Sequence, residues 1–122
     1  MRSGTIATMT TSAAQAAAFY DEATREGAVW TLRDDGGYPA PLTANGDRAQ
    51  PFWSLRSRAE LVVARVPAYS GFTIVEVTLD DFRARWLPGL QADGLCVGLN
   101  WSGAAATGYD VPAAEVAARL DD

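Results

Sequence analysis

The segment TLDDFRARWLPGLQADGLCVGLNW, from Thr78 to Trp101, constrains the fold more than any other part of the chain. It begins with a helical pattern, contains Pro88 within that pattern, and then changes to the alternation of a strand. Because proline has no backbone N–H and crowds the carbonyl of Ala84, the helix must kink or restart there. Asp93-Gly94 then reverses the chain. The segment predicts a helix that folds back directly into a strand, which favours a scaffold over a site.

This predicted helix carries its own start signal. The hydroxyl of Thr78 can cap the first turn, and Asp80 and Asp81 lie where the helix dipole favours negative charge. One face of the helix and one face of the strand are apolar and are expected to pack in the core. These positions are Leu79, Phe82, Trp86 and Leu90 in the helix, and Leu95, Val97, Leu99 and Trp101 in the strand.

Two capping boxes predict further helices. Ser12-Ala-Ala-Gln15 predicts a helix from Ala13 to about Glu26, because the two polar side chains can satisfy free N–H groups of the first turn reciprocally. Gly27 is expected to end this helix in a left-handed conformation. Ser57-Arg-Ala-Glu60 predicts a second helix, which ends before Pro67.

Stretches rich in β-forming residues and bounded by turn signals predict the strands. Residues 28–33 run into an Asp-Asp-Gly-Gly turn, and residues 38–42 are the expected hairpin partner, confined to an edge by two prolines. Residues 72–78 are almost continuously apolar, which favours a central position in the sheet. Residues 49–53 predict another short strand, and residues 103–108 predict a loop of small residues.

Helices and strands alternate without strict strand-helix-strand repetition. We therefore predict an α+β fold, one compact domain in residues 12–122, with about four helices packed on a mixed or antiparallel sheet of about five strands. Pro112 is expected to begin the last helix, with Val116 and Leu120 facing inward. Residues 1–11 lack periodicity and are expected to form a flexible tail, which makes Met9 a candidate translational start.

The chain is acidic and contains one cysteine. Its net charge of −5 argues against binding to nucleic acid or to an anionic membrane, and suits a basic protein partner. Cys96 has no partner for a disulfide, and we find neither the apolar run of a membrane span nor that of a secretory signal. We therefore expect a cytoplasmic protein. All ten cationic residues are arginine, which indicates a GC-rich, bacterial genome.

The sequence lacks the residues of the common catalytic sites. It contains no histidine, which excludes Ser-His and Cys-His pairs and histidine bases. Ser102 lacks the leading glycine of a nucleophile elbow. Asp34 and Asp35 lack the alternating acids and the distal glutamate of a calcium loop. We therefore expect no catalytic residue, no metal and no cofactor.

Two groups of residues are candidates for binding a partner. An exposed glycine-rich turn carries acidic and aromatic side chains, and an arginine-rich stretch follows a tryptophan that can act as a half-exposed anchor. For that tryptophan we favour the alternative, a position in the core. The residues are Asp34, Asp35 and Tyr38 in the first group, and Trp53, Arg56 and Arg58 in the second.

Four segments resemble a bacterial family known as domain of unknown function 2750. They are VWTLRDDGGY at 29–38, PFW at 51–53, the segment at 78–101 and GYDVPAAEVAARL at 108–120. The resemblance extends over residues 12–120, and its most specific part is L-D-D-F-x-x-x-W-L-P-x-L-x-x-D-G. It implies a small cytoplasmic single-domain protein without an assigned enzyme activity or functional residues. In this family the second strand is often more apolar than PAPLT, the sequence of this chain.

Three functions remain open at the level of sequence. The first is a non-enzymatic binding module, such as an immunity or antitoxin-like protein that masks a basic partner. The alternative is an adaptor that binds a small ligand or a peptide. The third is an enzyme that uses carboxylates or arginines alone. Small size, acidity and the absence of catalytic motifs favour the first.

Overall fold

The computed structural model describes residues 11–121, in which helices and strands form one compact α+β domain, as predicted. Residues 1–10, which hold most of the predicted tail and Met9, lie outside this range. Four helices are present in it: α1 (Thr11–Glu26), α2 (Arg56–Arg65), α3 (residues 79–92) and α4 (Ala113–Asp121). The five strands are β1 (Ala28–Arg33), β2 (Ala49–Phe52), β3 (Thr73–Thr78), β4 (Cys96–Ser102) and β5 (Thr107–Pro112).

The strands form two sheets rather than one. β1 pairs antiparallel with β3, while β2 pairs parallel with β4, which pairs antiparallel with β5. A bridge between Trp30 and Trp53 joins the two sheets, because each residue donates its N–H to the carbonyl of the other at 2.8 and 2.7 Å. The bridge places the end of β2 beside the middle of β1.

The hairpin predicted from residues 28–33 and 38–42 is wrong. No strand occurs at residues 38–42, where Pro39 and Pro41 remove two of the N–H groups that a ladder needs. β1 pairs instead with β3, along the full register from Ala28 opposite Thr78 to Arg33 opposite Thr73. β3 is also not central, since β1 is its one partner within residues 11–121 and Val77 is its one buried residue. The apolar residues of β3 are therefore only partly buried, apart from Val77.

The loop predicted at residues 103–108 is shorter than expected, because a strand begins in it. Thr107 and Gly108 belong to β5, which pairs with β4 and was not predicted. Pro112 is the last residue of this strand, and α4 begins at the next residue. The inward face of α4 is as predicted, with Val116 fully buried and Leu120 packed against the core.

The capping box at Ser57 is wrong, whereas the predicted end of α1 is confirmed. α1 already includes Thr11, two residues before the predicted start, and the side chain of Ser12 lies outside the described part of the chain. α2 begins at Arg56 without a side-chain cap. Glu60 pairs with Arg56 at 3.4 Å instead of reaching back to Ser57. Gly27 ends α1 with a φ of 71° and donates its N–H to the carbonyl of Ala23.

The helix α3 accommodates Pro88 by a change of helix type. Thr78 accepts a hydrogen bond from the N–H of Asp81, which confirms the predicted cap. The helix is α-helical at Leu79–Asp81, π-helical at Phe82–Trp86 and α-helical again at Leu87–Ala92. In the π segment the N–H of Leu87 bonds to the carbonyl of Phe82, five residues back. The predicted restart therefore occurs at Leu87, one residue before the proline.

Two clusters of apolar side chains form the core. The first packs α1, α3 and α4 on β2 and β4, and centres on Phe19, Phe52 and Phe82. The second packs α2 on β1 and β4 around Trp30, Trp53 and Trp101. The predicted core position of Trp101 is confirmed, while Trp86 is half-buried at the edge of the first cluster. No helix within residues 11–121 is long and apolar enough to span a membrane.

Candidate binding cleft

A cleft of about 420 Å³ lies between the N-terminal half of α1, one face of α2 and the turn that follows β4. Its volume falls within the range of small-molecule sites in proteins, roughly 300–1,000 Å³. The face of α2 follows from helical spacing, because lining residues recur at intervals of three or four positions. The lining residues are Gln15 from α1, Arg58, Leu61, Val62, Arg65 and Val66 from α2 and its end, and Asn100, Trp101, Ser102, Gly103 and Ala104.

Asn100 is a buried residue that lines the cleft, and we refer to it and the side chains bonded to it as the floor. It has a φ of 52° and lies at an irregularity in the pairing of β4 with β5. Asparagine tolerates this left-handed conformation better than most residues. Its side-chain oxygen accepts the N–H of Ser54 at 2.9 Å, and its amide nitrogen donates to the carbonyl of Gln15 at 3.0 Å and to the Ser54 hydroxyl at 2.9 Å. One side chain thus ties β4 to α1 and to the start of α2.

A charged pair supports this floor. Arg58 donates from Nε and Nη2 to the two carboxylate oxygens of Glu22, at 2.8 and 2.7 Å, and from Nη1 to the side-chain oxygen of Gln15. The hydroxyl of Ser54 donates to the same carboxylate at 2.6 Å. The bonds from Arg58, helped by Ser54, hold the pKa of Glu22 below its ordinary value, although burial acts in the opposite direction.

The hydrogen-bond network of Ser54, Glu22 and Arg58 has a structural role and offers no group for catalysis. Ser54 is completely buried, so its hydroxyl is not accessible to a substrate. Glu22 is ionised, and its lowered pKa makes it a poor proton acceptor at neutral pH. Both of its oxygens are occupied by Arg58. The network therefore fixes the floor of the cleft and gives it a defined shape.

Four of the residues that line the cleft have bulky apolar side chains, and we refer to Leu61, Val62, Val66 and Trp101 together as its apolar wall. Val62, Val66 and Trp101 are buried, with the cleft as part of their surroundings, whereas Leu61 is 50% exposed at the rim. The ring of Trp101 is fixed by a hydrogen bond from Nε1 to the carbonyl of Tyr109, at 3.0 Å. The wall is therefore as well defined as the floor.

A family model described as "Protein of unknown function (DUF2750)" matches residues 16–120 of this chain. The chain belongs to the DUF2750 family. The match confirms the resemblance inferred from the sequence, and it contains every residue of the cleft except Gln15. No curated protein matches this DUF2750 chain.

The second predicted binding group of the DUF2750 protein does not form a surface. Trp53 has no exposed area, and its indole N–H donates to the carbonyl of Trp101 at 2.8 Å. The core interpretation of Trp53 is therefore confirmed, and its interpretation as a half-exposed anchor is wrong. Arg58 is 23% exposed and belongs to the network under the cleft, whereas Arg56 is exposed and pairs with Glu60. The three residues thus lie in three different environments.

The first predicted group of the DUF2750 protein is close together and exposed. Asp34 accepts the N–H of Gly36 at 2.8 Å, within a turn that Asp34 and Gly37 close. Tyr38 is 38% exposed, and its ring meets that of Trp86 edge-on at 4.9 Å. Asp35 is exposed beside them. The three predicted residues line one open depression together with Arg33, Gly37, Gly71 and Thr73.

Sequence reasoning missed most residues of the cleft. From the sequence alone, Gln15 is expected in a capping box, Ser102 is set aside as a nucleophile, and no role is inferred for Arg65 or Asn100. The available signal was the spacing of Arg58, Leu61, Val62 and Arg65, which places them on one face of α2. That face carries two arginines among its apolar residues, a pattern that a helix packed wholly in the core would not show.

A second group that the sequence did not predict lies at the other end of β4 in the DUF2750 protein. The side chains of Asp47, Cys96 and Asp110 place their oxygen and sulfur atoms within 4.8 Å of one another. Burial, and then the charges of the two carboxylates, raise the pKa of the Cys96 thiol. The thiol is therefore protonated and weakly reactive at neutral pH.

Proposed function

We propose that this protein is a non-enzymatic, cytoplasmic binding module that holds a small ligand or the end of a peptide in the cleft. The single observation that carries the proposal is the combination of an apolar wall with a polar floor in one concave site of about 420 Å³. Of the functions considered from sequence, this is the ligand-binding adaptor.

The rigidity of the floor supports this proposal. Asn100 uses both ends of its amide inside the protein, and Arg58 uses its three nitrogens to hold Glu22 and Gln15. A site that is ordered before binding loses little conformational entropy when a ligand enters. The network therefore favours binding to a preformed cleft over folding around a partner.

The chemistry of the groups beneath the cleft supports binding without turnover. The chain contains no histidine, and Glu22, the acid next to the floor, is held by Arg58. Ser54, the serine that touches this acid, is buried. These groups orient one another, and none has the exposure that a nucleophile or a general base requires.

A neutral probe tests the proposal independently of ligand charge. We expect indole to bind saturably at one site and to shift the NMR signals of Val62, Val66 and Trp101. Leu61→Asp, at the rim of the cleft, should weaken binding severalfold. Leu42→Asp is the matched control, because Leu42 is also exposed, at 63%, and does not line the cleft. Absence of saturable binding, or equal losses in both variants, contradicts the proposal.

The second candidate function is the masking of a basic protein partner, as in immunity or antitoxin-like proteins. The observation that favours it is the exposure of Asp34 and Asp35, neither of which has an ion-pair partner within residues 11–121, beside the accessible ring of Tyr38. Acidic side chains at the rim of an interface accelerate association with a basic partner and make it sensitive to salt.

The variant Asp34→Lys/Asp35→Lys tests this second function. It should lower the recovery of basic proteins by the tagged protein, and should also lower the salt dependence of that recovery, without altering the fold. Asp21→Lys/Asp80→Lys changes the net charge equally at exposed positions outside this turn and serves as the control. Unchanged recovery by the first variant contradicts the masking function.

A further inference from the structure

We propose that the cleft binds small organic carboxylates that have an apolar body. This inference rests on the proposed function, because it names the class of ligand for the same site. It is carried by the charges and the unpaired hydrogen-bond donors of the lining, which are independent of the shape that supports the proposed function.

The lining of the cleft is cationic in a protein whose net charge is −5. It contains Arg58 and Arg65 and no acidic residue. Glu22 compensates the charge of Arg58 from behind the floor. Arg65, the last residue of α2, has no ion-pair partner within residues 11–121. An arginine without an ion-pair partner in the described residues therefore lines a concave site, and its positive charge favours an anionic ligand.

The unpaired polar groups of the lining supply donors for such an anion. The side-chain oxygen of Gln15 accepts from Arg58, and its Nε2 amide group has no hydrogen-bond partner among the described side chains, so it can act as a donor. The hydroxyl of Ser102 also has no hydrogen-bond partner in the described part of the chain, and it can donate. With the guanidinium of Arg65, three donors border one cleft. A carboxylate accepts on both of its oxygens and matches this set.

The charge and the apolar surface of the lining favour a carboxylate over a phosphate. One free guanidinium matches a single negative charge, whereas a phosphate monoester carries close to two at neutral pH. The apolar wall of Leu61, Val62, Val66 and Trp101 would remain in contact with water unless the ligand also carried apolar surface. A monoanion with a hydrocarbon or aromatic body can bind the donors with its charged group and cover the apolar wall with its body.

Three eight-carbon probes test this inference on the full chain: octanoate, octanamide and octylammonium, with affinities measured by NMR titration. A charged partner strengthens a hydrogen bond, so we expect octanoate to bind about 10- to 100-fold more tightly than octanamide. Octylammonium should bind more weakly than both. Arg65→Gln should reduce the affinity for octanoate to that for octanamide and leave the affinity for octanamide unchanged.

The control variant is Arg85→Gln, which removes the same charge from an exposed position outside the cleft and should leave all three affinities unchanged. Equal affinities of octanoate and octanamide at the cleft overturn the carboxylate inference while the proposed function stands. Equal losses in the two arginine variants overturn it as well, because they indicate a general charge effect. Absence of binding by every probe, indole included, overturns both.

Discussion

The indole ring of Trp101 lies directly against Gly98, so that a Cβ atom at residue 98 would be 2.3 Å from Cε2 of the ring. Gly108, on the neighbouring strand β5, would meet the same ring at 2.9 Å from Cδ1. The ring also donates its N–H to the carbonyl of Tyr109. Two glycines therefore create the space for the tryptophan that forms part of the apolar wall of the cleft.

Gly98→Ala should destabilise the protein by about 3 kcal/mol, because the added methyl group forces the ring of Trp101 or the backbone of β4 to move. Gly89→Ala is the matched control. Gly89 lies in the α-helical end of α3, and a Cβ atom added there would have no neighbour within 4 Å, so alanine should stabilise by up to about 1 kcal/mol. Urea unfolding measures both free energies. Equal changes in unfolding free energy for the two substitutions would contradict the close contact between Gly98 and the ring of Trp101.

Asn100→Ala should cost about 3 kcal/mol of unfolding free energy, because it leaves the buried N–H of Ser54 without its acceptor and removes the hydrogen bond to the carbonyl of Gln15. It also places alanine at a φ of 52°. Asn100→Gly loses the same hydrogen bonds but adopts this φ freely, so it should be more stable than Asn100→Ala by about 1 kcal/mol. The difference between the two variants, measured by urea unfolding, isolates the backbone strain. Equal stabilities would show that the strain is negligible.

Glu22→Gln should destabilise the protein by about 2 kcal/mol at pH 7, since Arg58 and Ser54 lose a charged acceptor. Because the folded-state pKa of Glu22 is lowered, its contribution is fully present above the unfolded-state pKa of about 4.3. It is lost as the pH falls through the lower, folded-state pKa. The difference in unfolding free energy between wild type and variant should therefore begin to narrow as the pH falls below about 5, as chemical denaturation can measure.

Asp21→Asn is the control for this effect. Asp21 lies on the same helix and pairs with Arg25, but both side chains are largely exposed. The substitution should change stability by less than about 0.5 kcal/mol at every pH. A gap for Glu22→Gln that stays constant with pH would contradict the lowered pKa.

Cys96 should react with iodoacetamide with a pH midpoint above the ordinary thiol value of about 8.5. Burial is the main cause, and the charges of Asp47 and Asp110 add to it, so Asp47→Asn and Asp110→Asn should each lower the midpoint. Asp93→Asn, at an exposed position outside this cluster, should leave it unchanged. Limited access to the partly buried thiol lowers the rate of the reaction at every pH, whereas the charges of the two acids shift its pH midpoint. The midpoint therefore reports the charge effect alone. A midpoint that neither variant lowers would contradict the contribution of the two acids.

The sequence by itself determined the features whose causes lie within a few residues. Gly27 ends α1 because glycine adopts positive φ without a steric cost, and Thr78 caps α3 because its hydroxyl reaches the N–H three residues on. The pattern of β-forming residues also located β1, β2, β3 and β4 to within one residue at most boundaries. These local signals sufficed for the α+β class, and the longer motifs sufficed for the family.

The tertiary structure alone decided which distant groups meet. Nothing local to β1 selects β3, some 40 residues later, as its partner. The side-chain oxygen of Gln15 bonds to Arg58, far away in sequence, and the predicted capping box at Ser57 is replaced by the pair of Glu60 with Arg56. Trp53 is in the core because the bridge to Trp30 and the carbonyl of Trp101 enclose it from two other strands. Strand pairing, burial and ion pairs depend on contacts between segments far apart in sequence, and the cleft exists where three such segments meet.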